Sequence, residues 1–404
     1  MHRTTAPNHT EETILMFWRS ILIGLVALCA FQPPAAAYIG LCCGKCGGNM
    51  PMNVPGGGIP ETHELRLKLQ PMVMHMAGLR SGSSDTDING VLGMPVMMGK
   101  PTGKYMAAPE SMDMRMLNLA AGYSFTDDFF AGVMMMYADN RMPMRFSSMM
   151  ANTAGQSGFT MKSKGLADTM LMAKYRLYAD DGLIPSREVS LFGGLSIPTG
   201  SIDERNTTHP LAMRQKELLP YGMQLGSGTW DPSLGLLYQR SNSPWWWGFD
   251  ARYTLRSGHN KRGYRLGDRT QVDGYLMYQP HYAWVLYGEL NGDWQGRIHG
   301  EADEARSGAS GHATQGDATS PYTTPLWDPA NTGKSQLFAT VGVQWQPVPL
   351  QIVDVGVQLP LWQRMNGLQL KDKWRVAVTW YIEFPTAASV RALDHTPADA
   401  ALGF

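Results

Sequence analysis

Apolar and polar residues alternate with a period of two along most of this 404-residue chain. Near the C-terminus, Trp374, Val376, Val378, Trp380, Ile382 and Phe384 alternate with Arg375, Ala377, Thr379, Tyr381 and Glu383. This period predicts strands with one apolar and one polar face. The candidate strands lie near residues 63–77, 112–125, 129–140, 165–178, 188–198, 221–240, 244–257, 269–278, 282–298, 334–346, 350–362 and 373–384.

The connections between these strands alternate in length. Residues 78–111 and 141–164 form long connections, whereas residues 126–128 and 241–243 form short ones. Outer-membrane barrels place short turns in the periplasm and long loops outside the cell. We therefore predict an all-β, transmembrane, antiparallel up-and-down β-barrel of about 12 strands over residues 62–384. Two packed sheets of a water-soluble sandwich are the alternative, because such sheets also alternate apolar and polar residues.

The first residues are typical of an export signal. Arg19 precedes the apolar run 21–31, and Ala35-Ala36-Ala37 offers a small-residue cleavage site. We predict a signal peptide over residues 1–37, with Met16 as an alternative translation start, and export to the outer membrane of a Gram-negative-type cell. The other predicted segments are a Cys-, Met- and Gly-rich periplasmic segment at 38–61 and a C-terminal periplasmic tail at 385–404.

The charges of the chain are balanced, with 34 Lys plus Arg and 34 Asp plus Glu. This balance offers no basic surface for nucleic acid, so no nucleic-acid partner is expected. Charged residues make up only 17% of the chain, which is low for a water-facing surface and suits contact with outer-membrane lipid. Trp245, Trp284, Trp345 and Trp362 fall near the ends of predicted strands, as the aromatic girdles of membrane barrels do.

Motifs of catalytic sites are not found in the sequence. It contains neither a Gly-x-Ser-x-Gly elbow nor a His-Glu-x-x-His pair. Residues 93–100 resemble a phosphate-binding loop, but the spacing of the motif is wrong and Pro101 follows where Ser or Thr is needed. We therefore do not expect an enzyme.

Twenty-two of the 28 methionines lie between Met50 and Met172. In the first predicted strand, Met72 shares its face with Lys68 and Gln70, and in a closed barrel this polar face is the lumen. The same parity argument places Met74, Met76, Met112, Met114, Met116, Met134, Met136, Met170 and Met172 in the lumen. Thioether sulfur prefers soft ions such as Cu(I) or Ag(I). The alternative is that these flexible side chains only fill gaps in the packing.

A second group of soft donors lies in residues 38–61. Cys42, Cys43 and Cys46 are followed by Met50 and Met52, and together they could hold a soft ion at the periplasmic mouth. A disulfide between Cys43 and Cys46, with Cys42 left over, is an equally open alternative in an oxidising compartment. The predicted metal ligands are these five residues and the ten lumen methionines, and no other cofactor is expected.

Three segments resemble a known family. They are residues 195–200 (LSIPTG), residues 225–232 (LGSGTWDP) and the strand at 168–175. Over residues 165–384 the chain is similar to the outer-membrane barrels of the "MetA-pathway of phenol degradation" family. The resemblance implies an outer-membrane channel or transporter and not an enzyme.

The predicted function is an outer-membrane channel or transporter that binds or passes soft metal ions such as Cu(I) or Ag(I). Asp168 and Arg176 are expected to form a charge pair that keeps the lumen wet. One alternative is an uptake channel for small hydrophobic or aromatic compounds. Another is a structural or adhesive barrel that works through loops 78–111 and 299–333. The expected partners are membrane lipid and a small solute or metal ion, and the sequence identifies no periplasmic partner.

Overall fold

Antiparallel strands dominate the structure, a computed structural model that describes residue 51, residues 62–181 and residues 185–389. Eleven strands, named β1 to β11 in chain order, form one closed barrel. They are β1 Glu64–Gly82, β2 Ser111–Ser124, β3 Phe129–Phe146, β4 Thr169–Ala179, β5 Arg187–Ile197, β6 Asp231–Asn242, β7 Trp245–Thr254, β8 Arg269–His281, β9 Trp284–Gln295, β10 Lys334–Val348 and β11 Gln351–Pro385. Each strand pairs with the next, and β11 pairs back with β1. The predicted antiparallel up-and-down barrel is confirmed.

Strand β11 has two limbs, and each limb spans the barrel wall once. Residues 351–365 pair with β10, and residues 365–385 pair with β1. Between the limbs Gly367 has a φ of 72°, a left-handed conformation that suits glycine in a tight turn. In the second limb, the backbone amide of Glu383 donates to the carbonyl of Leu350, the residue just before the first limb, at 2.9 Å. Ten single strands and two limbs make twelve crossings, which agrees with the predicted strand count.

The two ends of the barrel differ in the lengths of their connections. At one end, called the turn end, the connections are residues 125–128, 180–186, 243–244, 282–283 and 349–350. At the other, called the loop end, they are residues 83–110, 147–168, 198–230, 255–268 and 296–333. The alternation of short and long connections predicted from the sequence is therefore confirmed.

The long connections carry the short elements of the fold. The helices are Ile88–Val91, Ser148–Ala154 and Asp303–Arg306, with 3₁₀ turns at Ala212–Arg214, Tyr221–Met223, Pro325–Trp327 and Pro329–Asn331. The short strands are Ser84–Thr86, Val96–Met97, Lys100–Pro101, Ala107–Pro109, Gly158–Leu166, Tyr264–Arg265 and His299–Gly300. None of the described helices is long and apolar enough to cross a membrane.

The outward face of the barrel is apolar. Leu119, Leu234, Leu276 and Leu290 occupy alternate positions of their strands and are 45–60% exposed. Exposed tryptophans form a group at the turn end (Trp245, Trp247, Trp284, Trp345 and Trp380) and another toward the loop end (Trp230, Trp294, Trp362 and Trp374). An apolar band between two aromatic girdles is what a lipid bilayer favours on a barrel surface.

Several strand boundaries differ from the sequence prediction, and two of these differences change the loop end. The strand predicted at 221–240 begins only at Asp231, because Tyr221–Met223 forms a 3₁₀ turn and Gly228 has a left-handed φ of 70°. At the other site, β3 continues to Phe146 and pairs there with the short strand Gly158–Leu166. Residues predicted as loop between positions 141 and 164 therefore extend the barrel wall at the loop end.

Buried apolar side chains form three groups. The turn-end cluster comprises Leu237, Trp246, Tyr275, Met277, Val285, Tyr287, Ile352 and Tyr381. The methionine cluster, toward the loop end, comprises Leu79, Ala107, Ala108, Met112, Met142, Met144, Phe146, Met150, Met161, Leu219, Met223, Leu368 and Leu370. The loop cluster comprises Leu218, Tyr221, Tyr264, Ala302, Ala305 and Trp327. The turn-end cluster and the methionine cluster therefore fill part of the interior toward the two ends of the barrel.

Candidate functional site

A cavity of about 350 Å³ lies in the lumen and is lined by residues of β1 to β4 and β7 to β11. Tyr287 and Tyr381 of the turn-end cluster contribute to its wall, so that cluster borders the cavity. Pro51 also lines the cavity and is buried. The chain before the barrel therefore reaches the lumen at this residue. A volume of this size falls within the usual range for small-molecule sites.

One side of the cavity is mainly apolar and comes from β2, β3 and β4. Ala120, Phe130, Met134 and Met172 supply this surface. The Phe130 ring lies directly over Gly122, where an added Cβ atom would come within 2.1 Å of the ring. Gly122 is therefore needed for the position of the ring, which a larger residue would displace.

The opposite side of the cavity is polar and comes from β7 to β11. Asn291 donates to Asp273 at 2.7 Å and accepts hydrogen bonds from Thr340 at 2.6 Å and from Gln358 at 2.9 Å. Gln358 also donates to the Thr340 hydroxyl at 3.1 Å. Nearby, Arg252 donates to the side-chain oxygen of Gln271 on β8 at 2.6 Å. This side thus presents a connected set of donors and acceptors.

Strand β1 adds two basic residues, Arg66 and Lys68, between the two sides of the cavity. Arg66 pairs with Glu383 at 3.2 Å, and its guanidinium carbon lies 4.7 Å from the centre of the Tyr381 ring. Asp354, only 2% exposed, accepts a hydrogen bond from Tyr287 at 3.2 Å. The charges of Arg66 and Asp354 are therefore stabilised by neighbouring polar or aromatic groups.

The predicted pair of Asp168 and Arg176 does not form, and this prediction is wrong. Asp168 accepts hydrogen bonds from the backbone amides of Gly200 at 3.0 Å and Ser227 at 2.7 Å. Arg176 instead pairs with Asp128 at 2.8 Å. The two residues are eight positions apart along an extended chain, about 26 Å, so they lie toward opposite ends of the barrel. Asp168 therefore joins two parts of loop 198–230 by hydrogen bonds. The alternation of residues along the strands does not predict these partners.

The ten predicted lumen methionines lie on the inward face of β1 to β4. Three pairs are directly opposed across β1 and β2: Met72 with Met116, Met74 with Met114 and Met76 with Met112. Met134 of β3 is opposed to Met170 of β4, while Met136 and Met172 lie on the same faces of these strands. Of the ten, Met72, Met134 and Met172 line the cavity.

The remaining predicted ligands cannot be placed. Cys42, Cys43, Cys46, Met50 and Met52 lie outside the described residues. Within the described part of the chain, no three His, Cys, Asp or Glu side chains form a group that could hold a metal ion. The soft-metal role of the methionines therefore stays a prediction.

The sequence prediction missed several residues of the site. The polar side formed by Arg252, Asp273, Asn291 and Thr340 was not singled out, although the alternation of β7 to β10 places these residues on the inward face. Met142 and Met161 were assigned to a loop but lie in paired strands. In both cases the missing information was which strands are neighbours and in what register.

The closed barrel, its apolar outer band and its polar lumen define the class of outer-membrane β-barrels. Within this class the chain is similar to the COG4313 outer membrane channel from Pseudomonas putida F1, with a TM-score of 0.51, 12% sequence identity and coverage of 82% of this chain and 99% of that one. At this level of identity the likeness concerns the fold alone.

Two other barrels are more distant. The Pseudomonas putida toluene transporter TodX has a TM-score of 0.37 and 8% identity over 80% of this chain and 91% of its own. The transport unit of the autotransporter AIDA-I from Escherichia coli has a TM-score of 0.40 and 9% identity over 83% of this chain and 93% of its own. No family model and no curated protein matches the chain. Membership of the phenol-degradation family therefore stays a prediction.

Proposed function

We propose that this protein is an outer-membrane channel for small ring compounds that carry a polar group. The observation that carries the proposal is the two-sided cavity of about 350 Å³ in the lumen. Its apolar side offers thioether and aromatic groups, and its polar side offers hydrogen-bonding groups. A small aromatic molecule with a polar substituent can contact both sides at once.

The apolar side suits an aromatic ring for two reasons. Thioether sulfur makes favourable contacts with ring edges, worth about 0.3–1.5 kcal/mol each, and Met134 and Met172 both line the cavity. Phe130 adds an aromatic surface, where offset or edge-to-face ring pairs contribute about 0.5–1.5 kcal/mol beyond burial. These are weak terms, as a channel needs, because a solute bound tightly would not leave.

The polar side suits a substituent with a hydrogen-bonding group. A hydroxyl or carbonyl placed next to Asn291 and Thr340 would exchange hydrogen bonds with side chains that already form a network. Without such partners, burial of a polar group would cost about 1–3 kcal/mol. The network therefore favours ring compounds with one polar group over plain hydrocarbons.

Passage of Cu(I) or Ag(I), the function expected first from the sequence, has less support. The buried methionine cluster includes Met112, Met142 and Met144, and Met76 and Met114 pack against it. None of these five residues lines the cavity. This arrangement favours a binding site over a route through the barrel. A catalytic role is not proposed.

Uptake into proteoliposomes tests the proposed function. Met134 points into the cavity, whereas its neighbour Met135 is 45% exposed on the outer face. We expect Met134→Trp to fill the cavity and lower the uptake of a phenol-sized probe several-fold. The matched variant Met135→Trp, which adds the same bulk on the lipid side, should leave uptake unchanged.

Two outcomes would count against the proposal. Equal uptake by both variants would show that the solute does not cross this cavity. No uptake above that of empty vesicles, together with no conductance in planar bilayers, would favour a structural or adhesive barrel instead.

A further inference from the structure

Four neighbouring strands each place a methionine at the same level of the inward face. Met76 of β1 is directly opposed to Met112 of β2. Met142 of β3 is directly opposed to Met161 of the short strand Gly158–Leu166. The residues next to Met112 and Met142 are themselves opposed across β2 and β3, which aligns the two pairs. These four residues are called the methionine row.

The row is closely spaced, and three of its four residues are shielded from solvent. Directly opposed residues of antiparallel strands have Cβ atoms about 4.5–5.5 Å apart. Two sulfurs that share one ion lie at most about 4.6 Å apart, given metal–sulfur bonds near 2.3 Å, so flexible methionine side chains on neighbouring strands can converge. Met112 and Met142 are each 3% exposed and Met161 is 6% exposed. Competition from water for an ion held there is therefore weak.

A buried oxygen lies beside the row. Asn140 is opposed to Met114 across β2 and β3, two residues before Met142 on the same face. Its amide nitrogen donates to the Ser163 hydroxyl at 3.2 Å. Its oxygen Oδ1 is buried without a hydrogen-bond partner among the described residues, and Asn140 as a whole is 3% exposed. A buried acceptor that lacks a donor is costly in a packed interior and favours a positive group.

We propose that the methionine row binds a soft monovalent cation, Cu(I) or Ag(I), with Asn140 Oδ1 stabilising its charge. Neutral thioethers are soft ligands that favour Cu(I) and similar ions over Zn(II), Mg(II) or Ca(II). Simple apolar packing accounts for buried methionines, but it does not account for an unpartnered amide oxygen placed among them. The combination of four aligned sulfurs and one acceptor is what points to a cation.

Further methionines connect the row with the lumen cavity along β1 and β2. Two further opposed pairs, Met74 with Met114 and Met72 with Met116, continue from the row along β1 and β2. Met72 lines the cavity. Successive residues on one face of a strand lie about 7 Å apart, so each pair is one short step from the next.

A titration of the full chain in detergent with Ag(I) tests the site. The four cysteines, Cys29, Cys42, Cys43 and Cys46, are first replaced by Ser, so that thiolates do not mask thioether binding. In this background we expect Met112→Leu combined with Met142→Leu to weaken binding of the most tightly held Ag(I) ion by at least about 10–100-fold, which is the loss typical of removing an outer-shell partner of a ligand. Leu keeps the apolar volume, and such swaps usually cost less than about 1.5 kcal/mol of stability.

A matched control separates the row from methionine content in general. Met277 and Met365 are as buried as the row, at 0% and 1% exposure, but lie outside it. Met277→Leu combined with Met365→Leu should leave the tight equivalent in place. If the row variant and the control variant bind Ag(I) alike, the proposal is overturned.

X-ray absorption of the Cu(I)-loaded protein gives a second, independent readout. The X-ray absorption spectrum should show sulfur neighbours of copper in the Ser background and fewer of them in the row variant, which keeps only Met76 and Met161 of the row. In Asn140→Leu the sulfur signal should persist while the affinity for Ag(I) falls. Copper surrounded only by oxygen or nitrogen in the Ser background would refute the site. The titration measures binding and not uptake, so its result is independent of the proposed passage of ring compounds.

Discussion

His209 should make the packing of the loop end depend on pH. It is 6% exposed and lies between two aromatic rings, 4.6 Å from the centre of Phe159 and 5.6 Å from that of Phe146. Its Nδ1 accepts a hydrogen bond from the Leu211 amide at 3.2 Å. Burial, with a smaller contribution from the positive charge of Arg214, lowers the pKa of His209 from 6.5 to about 4. The ring is therefore neutral at physiological pH.

The size of the effect follows from this pKa. The pKa of His209 is lower by about 2.5 in the packed loop than in the unpacked loop. At 1.36 kcal/mol for a pKa difference of one, protonation of His209 destabilises the packed loop by about 3 kcal/mol. Because the pKa of His209 is lower in the packed state, the unpacked state binds more protons as the pH falls. The stability that neutral His209 contributes to the packed loop is fully present above about pH 6.5. It is lost progressively as the pH falls to about 4.

Hydrogen exchange of the loop amides measures this loss. The Leu219 amide donates to the carbonyl of Glu204 within loop 198–230 at 2.8 Å and exchanges when the loop opens. After correction for the intrinsic rate, its protection should fall roughly 100-fold between pH 7 and pH 4.5. In His209→Gln, which keeps an acceptor for Leu211 but does not titrate, this fall should be absent. An equal fall in both proteins would refute the reasoning.

Two further predictions concern the barrel interior. Lys174 is 1% exposed and pairs with Glu188 at 3.3 Å, so Glu188→Gln should lower the free energy of unfolding in urea by about 3–5 kcal/mol, and adding Lys174→Met should restore much of it. Gly122→Val should press on the Phe130 ring and slow uptake of the ring probe, whereas Gly193→Val, where nothing lies within 4 Å, should not. Equal effects of the two valines would contradict the role given to Phe130.

Most of the fold follows from local alternation. Period-two patterns and alternating loop lengths depend only on neighbouring residues, so the crossings of β1 to β11 and the position of the turns could be predicted from the sequence. The boundary at Asp231 could not, because residues 225–230 contain two glycines that continue the pattern while allowing a loop conformation. Gly228 adopts a positive φ there, which no alternation rule detects.

The candidate site depends on information that alternation does not contain. Parity decides that Met142 faces inward if it is in a strand, but its pairing with Met161 requires the hairpin made by β3 and Gly158–Leu166. In the same way, Asn291 meets Thr340 and Gln358 only because β9, β10 and the first limb of β11 are neighbours. Register, which is set over many residues, is what brings these groups together.

The order of the strands around the barrel gives the lumen its two-sided character. The methionine-rich part of the chain forms β1 to β4, whereas the amide and carboxylate groups of the cavity come mainly from β7 to β11. Because consecutive strands are neighbours, a difference in residue composition between parts of the sequence becomes a difference between parts of the barrel wall. A solute in the cavity therefore meets thioether and aromatic groups on one side and polar groups on the other. Substitutions at Met134 or Met172 should then affect compounds according to their rings, and substitutions at Asn291 according to their polar group.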